Sequence, residues 1–179
     1  GCQKGDILFL SRPLDVGVLF AGAMHAKTKP HHINQAISTM TRSQHSLVNC
    51  LRKFEEFYPD SIHACTDITG FGLLGHLSEM LNSSRDSLTA TINLSALPVL
   101  DGAIDLLMQG YESSLAPSNK RAWKELSIMN SDKARINLEA SKLIKENRKL
   151  YEAFMGLIVD PQTCGPLLLC CNKNIAEQI

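Results

Sequence analysis

Short apolar runs and alternating segments along the chain predict five β-strands. The run at residues 6–10 is mostly apolar, which is typical of a buried strand, whereas residues 89–94 alternate between apolar and polar, as in a strand with one buried face. Residues 11–17 contain a proline and are predicted to form a turn, because proline cannot donate to a central ladder. The remaining strands are predicted at residues 61–68, 156–159 and 167–171.

Apolar positions at helical spacing predict the other elements. Residues 32–57 carry them at intervals of three and four, which predicts one long helix or two consecutive helices. Proline opens helices and glycine ends them, so Pro98 and Gly110 are expected to bound another helix. Further helices are predicted at residues 73–81 and 131–154.

Residues 111–130 are polar and irregular and predict only a short helix around residues 121–126. Strands and helices mix without a regular βαβ alternation, which favours the α+β class over a doubly wound fold. A length of 179 residues with 44% hydrophobic residues is enough for one cored domain. We therefore expect a single α+β domain over residues 1–179.

The charges balance, with 18 basic and 18 acidic residues. This argues against a nucleic-acid partner, which would need an excess of cations. No apolar stretch approaches the roughly 18 residues of a membrane span, and the first residues lack the apolar region of a signal peptide. We expect a cytoplasmic protein with no membrane partner. The chain also begins and ends abruptly, which suggests a piece of a longer protein.

The six cysteines are scattered along the chain, as is usual for reduced thiols in a cytoplasmic protein. A soft-metal site formed by Cys65, Cys164, Cys170 and Cys171 is the alternative to buried thiols. Cys170 and Cys171 are adjacent and would point to opposite faces of a strand, which favours the buried thiols.

The stretch most suggestive of chemistry is residues 63–76. A predicted strand delivers Asp67 to its end, a glycine-rich turn follows, and a helix then begins with free N–H groups. Thr66 and Thr69 place hydroxyls on either side of the carboxylate. Asp67 is therefore a candidate Mg²⁺ ligand, since Mg²⁺ takes one or two carboxylates with phosphates and water.

Two other interpretations of this stretch stay open. Asp67 and Thr69 could simply cap the next helix, while Gly72 and Gly75 allow close packing. Residues 70–75 also form a literal G-x-G-x-x-G, the dinucleotide-binding pattern. The acidic residue expected about 20 positions later is missing, which disfavours that alternative.

Residues 64–80 resemble the signature of the second domain of selenophosphate synthetases, in particular the run Thr66-Asp67-Ile68-Thr69-Gly70-Phe71-Gly72. Further segments resemble the same family in the same order. These are residues 5–8 with 11–14, residues 37–40, residues 97–100 with 113–119, and residues 160–165, which are similar to its DPQTSGG loop.

The resemblance implies ATP-dependent phosphorylation of selenide, which yields selenophosphate, AMP and phosphate. It also implies a layered α/β/α domain with a mixed sheet, of the aminoimidazole-ribonucleotide-synthetase type. By motif position Asp67 would hold Mg²⁺, and Thr66, Thr69 and Gly70 would lie beside ATP. The ATP-binding N-terminal domain and its catalytic residues would be missing from this chain, so we expect the chain alone to be inactive and the full enzyme to be a homodimer.

Four positions depart from the family pattern. Arg12 replaces a lysine, Asp15 replaces a glycine, and Cys164 and Pro166 replace a serine and a glycine of the last loop. Pro166 removes a backbone donor, and Asp15 adds negative charge. These changes keep two alternatives open: a non-catalytic assembly or binding module, and a member of the superfamily that acts on another substrate.

Overall fold

The computed structural model of the chain describes residues 1–129 and 134–176. The strands in this part of the chain are β1 (Ile7–Leu10), β2 (Ile62–Asp67), β3 (Leu88–Asn93), β4 (Ala134–Glu139) and β5 (Leu167–Cys171). The helices are α1 (Val16–Met24), α2 (Pro30–Thr41), α3 (His45–Phe57), α4 (Gly72–Asn82), α5 (Ala103–Met108), α6 (Ala116–Met129), α7 (Lys142–Glu146), α8 (Arg148–Leu157) and α9 (Lys173–Ala176).

Strand β5 is the centre of a three-stranded antiparallel sheet, with β1 and β2 on either side. Leu167, at the start of β5, lies opposite Asp67, and Cys170 lies opposite Leu8. The strand is an unbroken run of leucine and cysteine whose last four residues are buried, as expected for a strand covered on both faces. The pairing of β2 with β5 slips between Ile62 and Ala64.

Strands β3 and β4 form a separate two-stranded parallel sheet. Their buried and exposed residues alternate, and Ala90 and Ile92 of β3 enter the core. Parallel and antiparallel pairing therefore both occur, and the predicted α+β class is confirmed. None of the described helices is both long and apolar enough to span a membrane.

Helix α4 is the main core element beside the candidate site. Leu73, Leu74 and Leu77 are almost fully buried, and they belong to one apolar cluster with Ile92 and Leu168. Burial of each such leucine contributes about 2 kcal/mol relative to exposure. A second apolar cluster lies between α1, α2 and α5, beyond the turn that follows β1. It includes Val18, Leu19, Ala36, Leu100 and Leu106. Two cores thus hold the turn at residues 11–15 between them.

Three predictions of secondary structure were wrong. A turn was predicted at residues 11–17, and the helix α1 that begins at Val16 was not predicted. A helix that is apolar nearly all round gives little periodic signal. Residues 134–139, expected to be helical, form β4, whose period-two alternation was misread as the charged face of a helix. The expected strand at 156–159 is instead the end of α8 and the turn after it, since a four-residue apolar run does not distinguish helix from strand. Residues 131–133 of the expected helix lie outside the described part of the chain.

Two helix boundaries also differ from the prediction. The helix expected to open at Pro98 begins only at Ala103, because Gly102 adopts a left-handed φ of 83° immediately before it. In contrast, α6 extends over Ala116–Met129, well beyond the short helix predicted there. The segment at residues 32–57, expected to form one long helix or two consecutive helices, forms two, α2 and α3.

Candidate functional site

Asp67 is the last residue of β2, where it lies opposite Leu167 of the central strand. The next residue, Ile68, is fully buried and its backbone N–H donates to the Pro166 carbonyl at 2.9 Å. This anchor ends the strand and leaves the Asp67 side chain exposed to solvent. Among the described residues, no side chain forms a hydrogen bond or ion pair with its carboxylate. The group is therefore free to bind a cation from solution.

The turn after Asp67 has its backbone held from three directions. The Thr69 carbonyl accepts from the N–H of Gly72 at 3.1 Å and from the N–H of Gln162 at 2.9 Å. The Gly70 carbonyl accepts from the Asn119 side-chain amide at 2.8 Å. Gly70 itself is exposed, and there is open space around its α-carbon. A ligand could therefore approach the backbone of a turn that is already ordered.

His76 of α4 fixes the side chain of Thr69. Its Nε2 lies 3.1 Å from the Thr69 hydroxyl, and its Nδ1 lies 3.2 Å from a carboxylate oxygen of Glu79. The imidazole is buried, so these two partners determine its orientation. From the sequence, His76 had no evident partner. Thr69 and His76 are seven positions apart, across the glycine turn and the start of α4, and no short sequence motif marks such a contact.

The start of α4 packs against the residues that follow α8. Gly72 has a φ of 67°, and a Cβ at this position would lie 2.7 Å from the backbone carbon and oxygen of Val159. The Leu74 N–H donates to the Ile158 carbonyl at 2.9 Å. The N–H groups of Gly72 and Leu74 are thus satisfied by protein carbonyls, so two of the N–H groups expected to be free at this helix start already have acceptors.

Of the two competing interpretations of residues 63–76, only the close packing at Gly72 agrees with the structure. Phe71 occupies the N-cap of α4 and makes no side-chain capping bond, so neither Asp67 nor Thr69 caps this helix. Close packing does hold for Gly72, but the contact of Gly75 is with Phe71 of its own helix start. A dinucleotide-binding unit would pair two parallel strands across the helix, whereas β2 and β3 belong to different sheets.

The loop at residues 160–166 packs directly under the Asp67 turn. Asp160 is buried, and its two carboxylate oxygens accept from the Ser113 N–H at 3.0 Å and the Ser113 hydroxyl at 2.5 Å. Burial raises the pKa of Asp160 to about 6, against the effect of these two bonds. Gly165 is needed at its position because a Cβ there would lie 2.1 Å from the Ile68 carbonyl oxygen.

Asp15 joins the same loop from the other side. It is fully buried, and its φ is 80°, in the left-handed region that glycine occupies without strain. One carboxylate oxygen accepts from the Gln162 amide at 3.0 Å, while the other has no hydrogen-bond partner. Burial, and then the charge of Asp160, raise the pKa of Asp15 well above its ordinary value. The negative charge expected at Asp15 is therefore kept away from the surface around Asp67.

Arg12 holds the loop to the end of α2. Its guanidinium donates to the carbonyls of Thr39 at 2.8 Å, Arg42 at 2.9 Å and Cys164 at 3.1 Å. Three carbonyls arranged around a planar fork suit arginine and would be poorly matched by the point charge of a lysine. The substitution at this position therefore serves the packing of the loop.

Asn119 belongs to residues 113–119, one of the segments that resemble the family, but the sequence alone suggested no role for it. Its side-chain amide donates both to Gly70 and, at 2.9 Å, to the Val159 carbonyl. It thus ties the turn that follows Asp67 to the residues that follow α8. Ser113 and Gln162 were missed in the same way, because each acts on a residue more than 40 positions away.

The fit to a divalent cation rests on Asp67 alone. Within the described residues, no group of three or more His, Cys, Asp or Glu side chains lies close enough together to hold a metal ion. This includes the cysteines for which a soft-metal site was considered; Cys65 and Cys164 are exposed while Cys170 and Cys171 are buried. A single exposed carboxylate suits Mg²⁺, which commonly keeps several waters and binds phosphate oxygens as well.

Comparison with known proteins confirms the resemblance predicted from the sequence. The selenide, water dikinase of Aeromonas salmonicida (strain A449) is 33% identical over 177 residues, which cover 99% of this chain and 43% of that protein. Those of Clostridium botulinum (strain Eklund 17B / Type B) and Treponema denticola are each 28% identical, over 98% and 99% of this chain and 44% and 43% of their own lengths. The chain therefore spans less than half the length of these curated relatives. The family described as AIR synthase related protein, C-terminal domain, matches residues 3–179, and the chain belongs to this family.

Proposed function

We propose that this chain forms one side of the ATP–Mg²⁺ cleft of a selenide, water dikinase, which phosphorylates selenide at the expense of ATP and releases AMP and phosphate. The observation that carries the proposal is the exposed carboxylate of Asp67, which has no partner among the described residues and lies beside an ordered turn. The similarity to selenide, water dikinases of other organisms supports the same assignment.

Asp67 would hold the metal ion on this side of the cleft. Magnesium, when bound, neutralises phosphate charge and fixes the phosphates in position. The other ligands would come from the nucleotide, from water and from the second domain, because a single carboxylate is what the described part of this chain offers. Strand pairing and the Ile68 anchor keep Asp67 at a fixed place on the rim.

The turn would provide the contacts to the nucleotide. Gly70 is exposed and has open space at its α-carbon, so its backbone can approach phosphate oxygens closely. The Thr69 hydroxyl is oriented by His76, and the Thr66 hydroxyl donates to the Asp67 backbone carbonyl at 3.5 Å. Each group is neutral, so the turn adds hydrogen bonding without adding negative charge to the cleft.

We further propose that the chain works as the second domain of a larger enzyme. The relatives are more than twice as long as the segment they share with this chain. In this arrangement the ATP-binding lysine and the reactive cysteine or selenocysteine lie in an N-terminal domain, and the full enzyme is a cytoplasmic homodimer. Phosphoryl transfer depends on positioned cations, so the 179-residue chain alone should form no AMP.

The test compares two proteins in an assay of selenide-dependent AMP formation from ATP. One is the full protein encoded by the reading frame that contains this chain, and the other is the chain alone. The full protein should be active and the chain inactive. Asp67→Asn should lower kcat/KM of the full protein by about 100-fold or more, because a metal contributes several kcal/mol of charge stabilisation. Asp101→Asn is the matched control, since Asp101 is another exposed aspartate but lies far along the chain at the turn before α5.

Equal losses in the two aspartate variants would overturn the metal role of Asp67. An inactive full protein that still binds Mg²⁺–ATP in calorimetry would point to another substrate. A full protein that neither turns over nor binds Mg²⁺–ATP would favour the non-catalytic assembly module, the alternative supported by the substitutions at Asp15 and Pro166.

A further inference from the structure

A second group of reactive side chains lies toward the other end of the β1–β5–β2 sheet from Asp67. We call it the thiol–carboxylate cluster, and it consists of Cys2, Asp6, His63 and Cys170. Cys170 is on the central strand, Asp6 comes just before β1, and His63 is on β2. The Cys170 thiol donates to Asp6 Oδ2 at 3.0 Å, and His63 Nδ1 lies 2.8 Å from both Asp6 oxygens.

The slip in the pairing of β2 explains how His63 reaches this cluster. The register of β2 against β5 shifts between Ile62 and Ala64, so His63 is the extra residue of an irregular strand. Such bulges redirect side chains. Here the imidazole is buried against the carboxylate of Asp6, which is itself only 6% exposed. Burial raises the pKa of Asp6, but the bonds from Cys170, the Gln3 N–H and His63 outweigh burial and lower it overall.

Cys2 completes the cluster from the segment before β1. Its side chain is buried in the same apolar cluster as Cys170, and both residues line the same cavity. The contact with Cys170, opposed by burial and aided by Ser84, lowers the pKa of Cys2 to about 7. In contrast, the contact with Cys2, burial and the Asp6 carboxylate all raise the pKa of Cys170. One thiol of the pair thus ionises readily while the other keeps its proton.

The cluster opens into a cavity of about 810 Å³ between β1 and β3. Cys2, Asp6 and Cys170 line one wall, and residues 86–91 line another. Although both thiols are almost fully buried from bulk solvent, a reagent of a few atoms that entered this cavity would meet them. A cysteine that forms a thiolate beside a second thiol is the arrangement that redox-sensitive proteins use.

We propose that Cys2 and Cys170 form a reversible disulfide pair that is oxidised by hydrogen peroxide. The Cys2 thiolate attacks one peroxide oxygen, the O–O bond breaks, and the departing hydroxide takes up a proton to become water. The Cys170 sulfur then attacks the sulfenic acid on Cys2; the S–O bond breaks, and the hydroxyl leaves with the Cys170 proton as a second water. The two sulfurs lose two electrons, and one peroxide is reduced to two waters.

The disulfide would change the structure at two places. It would tie the segment before β1 to the central strand, and it would remove the thiol proton that Cys170 donates to Asp6. His63 would then remain as the side-chain partner of Asp6 in the cluster. Because these residues lie on the sheet or in the segment before β1, and not on the Asp67 turn, the inference does not depend on the proposed function.

The test uses the 179-residue chain with its three exposed cysteines replaced, as Cys50→Ser, Cys65→Ser and Cys164→Ser. Mild hydrogen peroxide should lower the mass of this protein by about 2 Da, the loss of two hydrogens on disulfide formation, and dithiothreitol should restore it. Peptide mapping should join Cys2 to Cys170. The rate of oxidation should rise with pH through about 7, as the Cys2 thiol ionises.

Three further variants assign the bond. Cys2→Ala and Cys170→Ala should abolish the mass loss, while Cys171→Ala should leave it intact, because Cys171 is the adjacent buried thiol and is the matched control. Differential alkylation of the unmodified chain provides a second measurement that does not depend on the folding of any variant. A disulfide through Cys171, or oxidation of Cys2 that proceeds to sulfinic acid with no crosslink, would overturn the proposal.

Discussion

The side-chain amide of Gln162 bonds to Asp15 at two points, although 147 positions separate them. Its oxygen accepts from the Asp15 backbone N–H at 2.8 Å, and its nitrogen donates to Asp15 Oδ1 at 3.0 Å. The same nitrogen donates to the Asp160 carbonyl at 3.1 Å. Gln162 therefore connects the turn after β1 to the loop under the candidate site, and the buried Asp15 carboxyl is the strained part of this connection.

Replacement of Asp15 by glycine should stabilise the chain. Asp15→Gly removes a left-handed non-glycine residue and a buried oxygen with no hydrogen-bond partner, which together cost more than the lost bond to Gln162. We expect the free energy of unfolding in urea to rise by about 1 kcal/mol.

Asp60→Gly is the matched control for this change. Asp60 also has a left-handed φ, of 57°, but it is exposed to solvent. The control reports the relief of backbone strain without the relief of burial, and its gain should be smaller. An Asp15→Gly protein that is no more stable than the control would show that the buried carboxyl is not a source of strain.

Stability should decrease as the pH rises through the range in which Asp160 titrates. Its pKa is raised to about 6 in the folded chain, so the folded state binds the proton more tightly than the unfolded state does. The contribution is complete below about pH 4 and is lost as the pH passes through about 6, with a total of about 2 to 3 kcal/mol. Burial, and then the charge of Asp160, also raise the pKa of Asp15 well above its ordinary value, so Asp15 contributes a loss in the same direction.

Urea unfolding between pH 4 and 8 should be compared for the wild type and Asp160→Asn. The difference between the two curves isolates the titration of Asp160 from that of Asp6, whose pKa is lowered and which acts in the opposite direction. If the free energy of unfolding of the wild type instead rose with pH relative to that of Asp160→Asn, the raised pKa of the buried Asp160 would be contradicted.

Removal of the Asn119 side chain should loosen the turn that follows Asp67. Asn119→Ala leaves the carbonyls of Gly70 and Val159 without their donor, and the free energy of unfolding should decrease by about 1 to 3 kcal/mol. Faster hydrogen exchange at the backbone N–H of Gly72 should accompany the loss. Asn34→Ala, on the exposed surface of α2, should change neither quantity.

The two glycines of the turn should separate folding from ligand binding. Gly72→Ala forces a Cβ against Val159 at a left-handed φ and should destabilise the chain by about 3 kcal/mol or more. Gly70→Ala meets open space and should leave the free energy of unfolding nearly unchanged. If Gly70 lies beside ATP, as proposed, Gly70→Ala should still weaken Mg²⁺–ATP binding by the full protein, measured by calorimetry. Normal binding would remove Gly70 from the proposed site.

The parts of the site that are local in sequence were predictable. The strand that ends at Asp67 and the helix led by Gly72 follow from apolar spacing and glycine placement within residues 63–76. The contacts that hold this unit come from far along the chain, as the bonds of Asn119 and Gln162 show, and no periodic signal encodes them. The missed α1 has a different cause: a helix that is apolar nearly all round, because α2 and α5 both cover it, gives little periodic signal.

The shortness of β5 has a mechanical consequence. The strand has five residues, so roughly 17 Å separate the loop under Asp67 from the end that carries Cys170 and Cys171. A displacement of β5 along its axis by one residue would move each of its side chains to the opposite face of the sheet. Such a slip would also move Leu167 away from Asp67. A covalent change at Cys170 would therefore act on the same strand whose first residue, Leu167, pairs with Asp67.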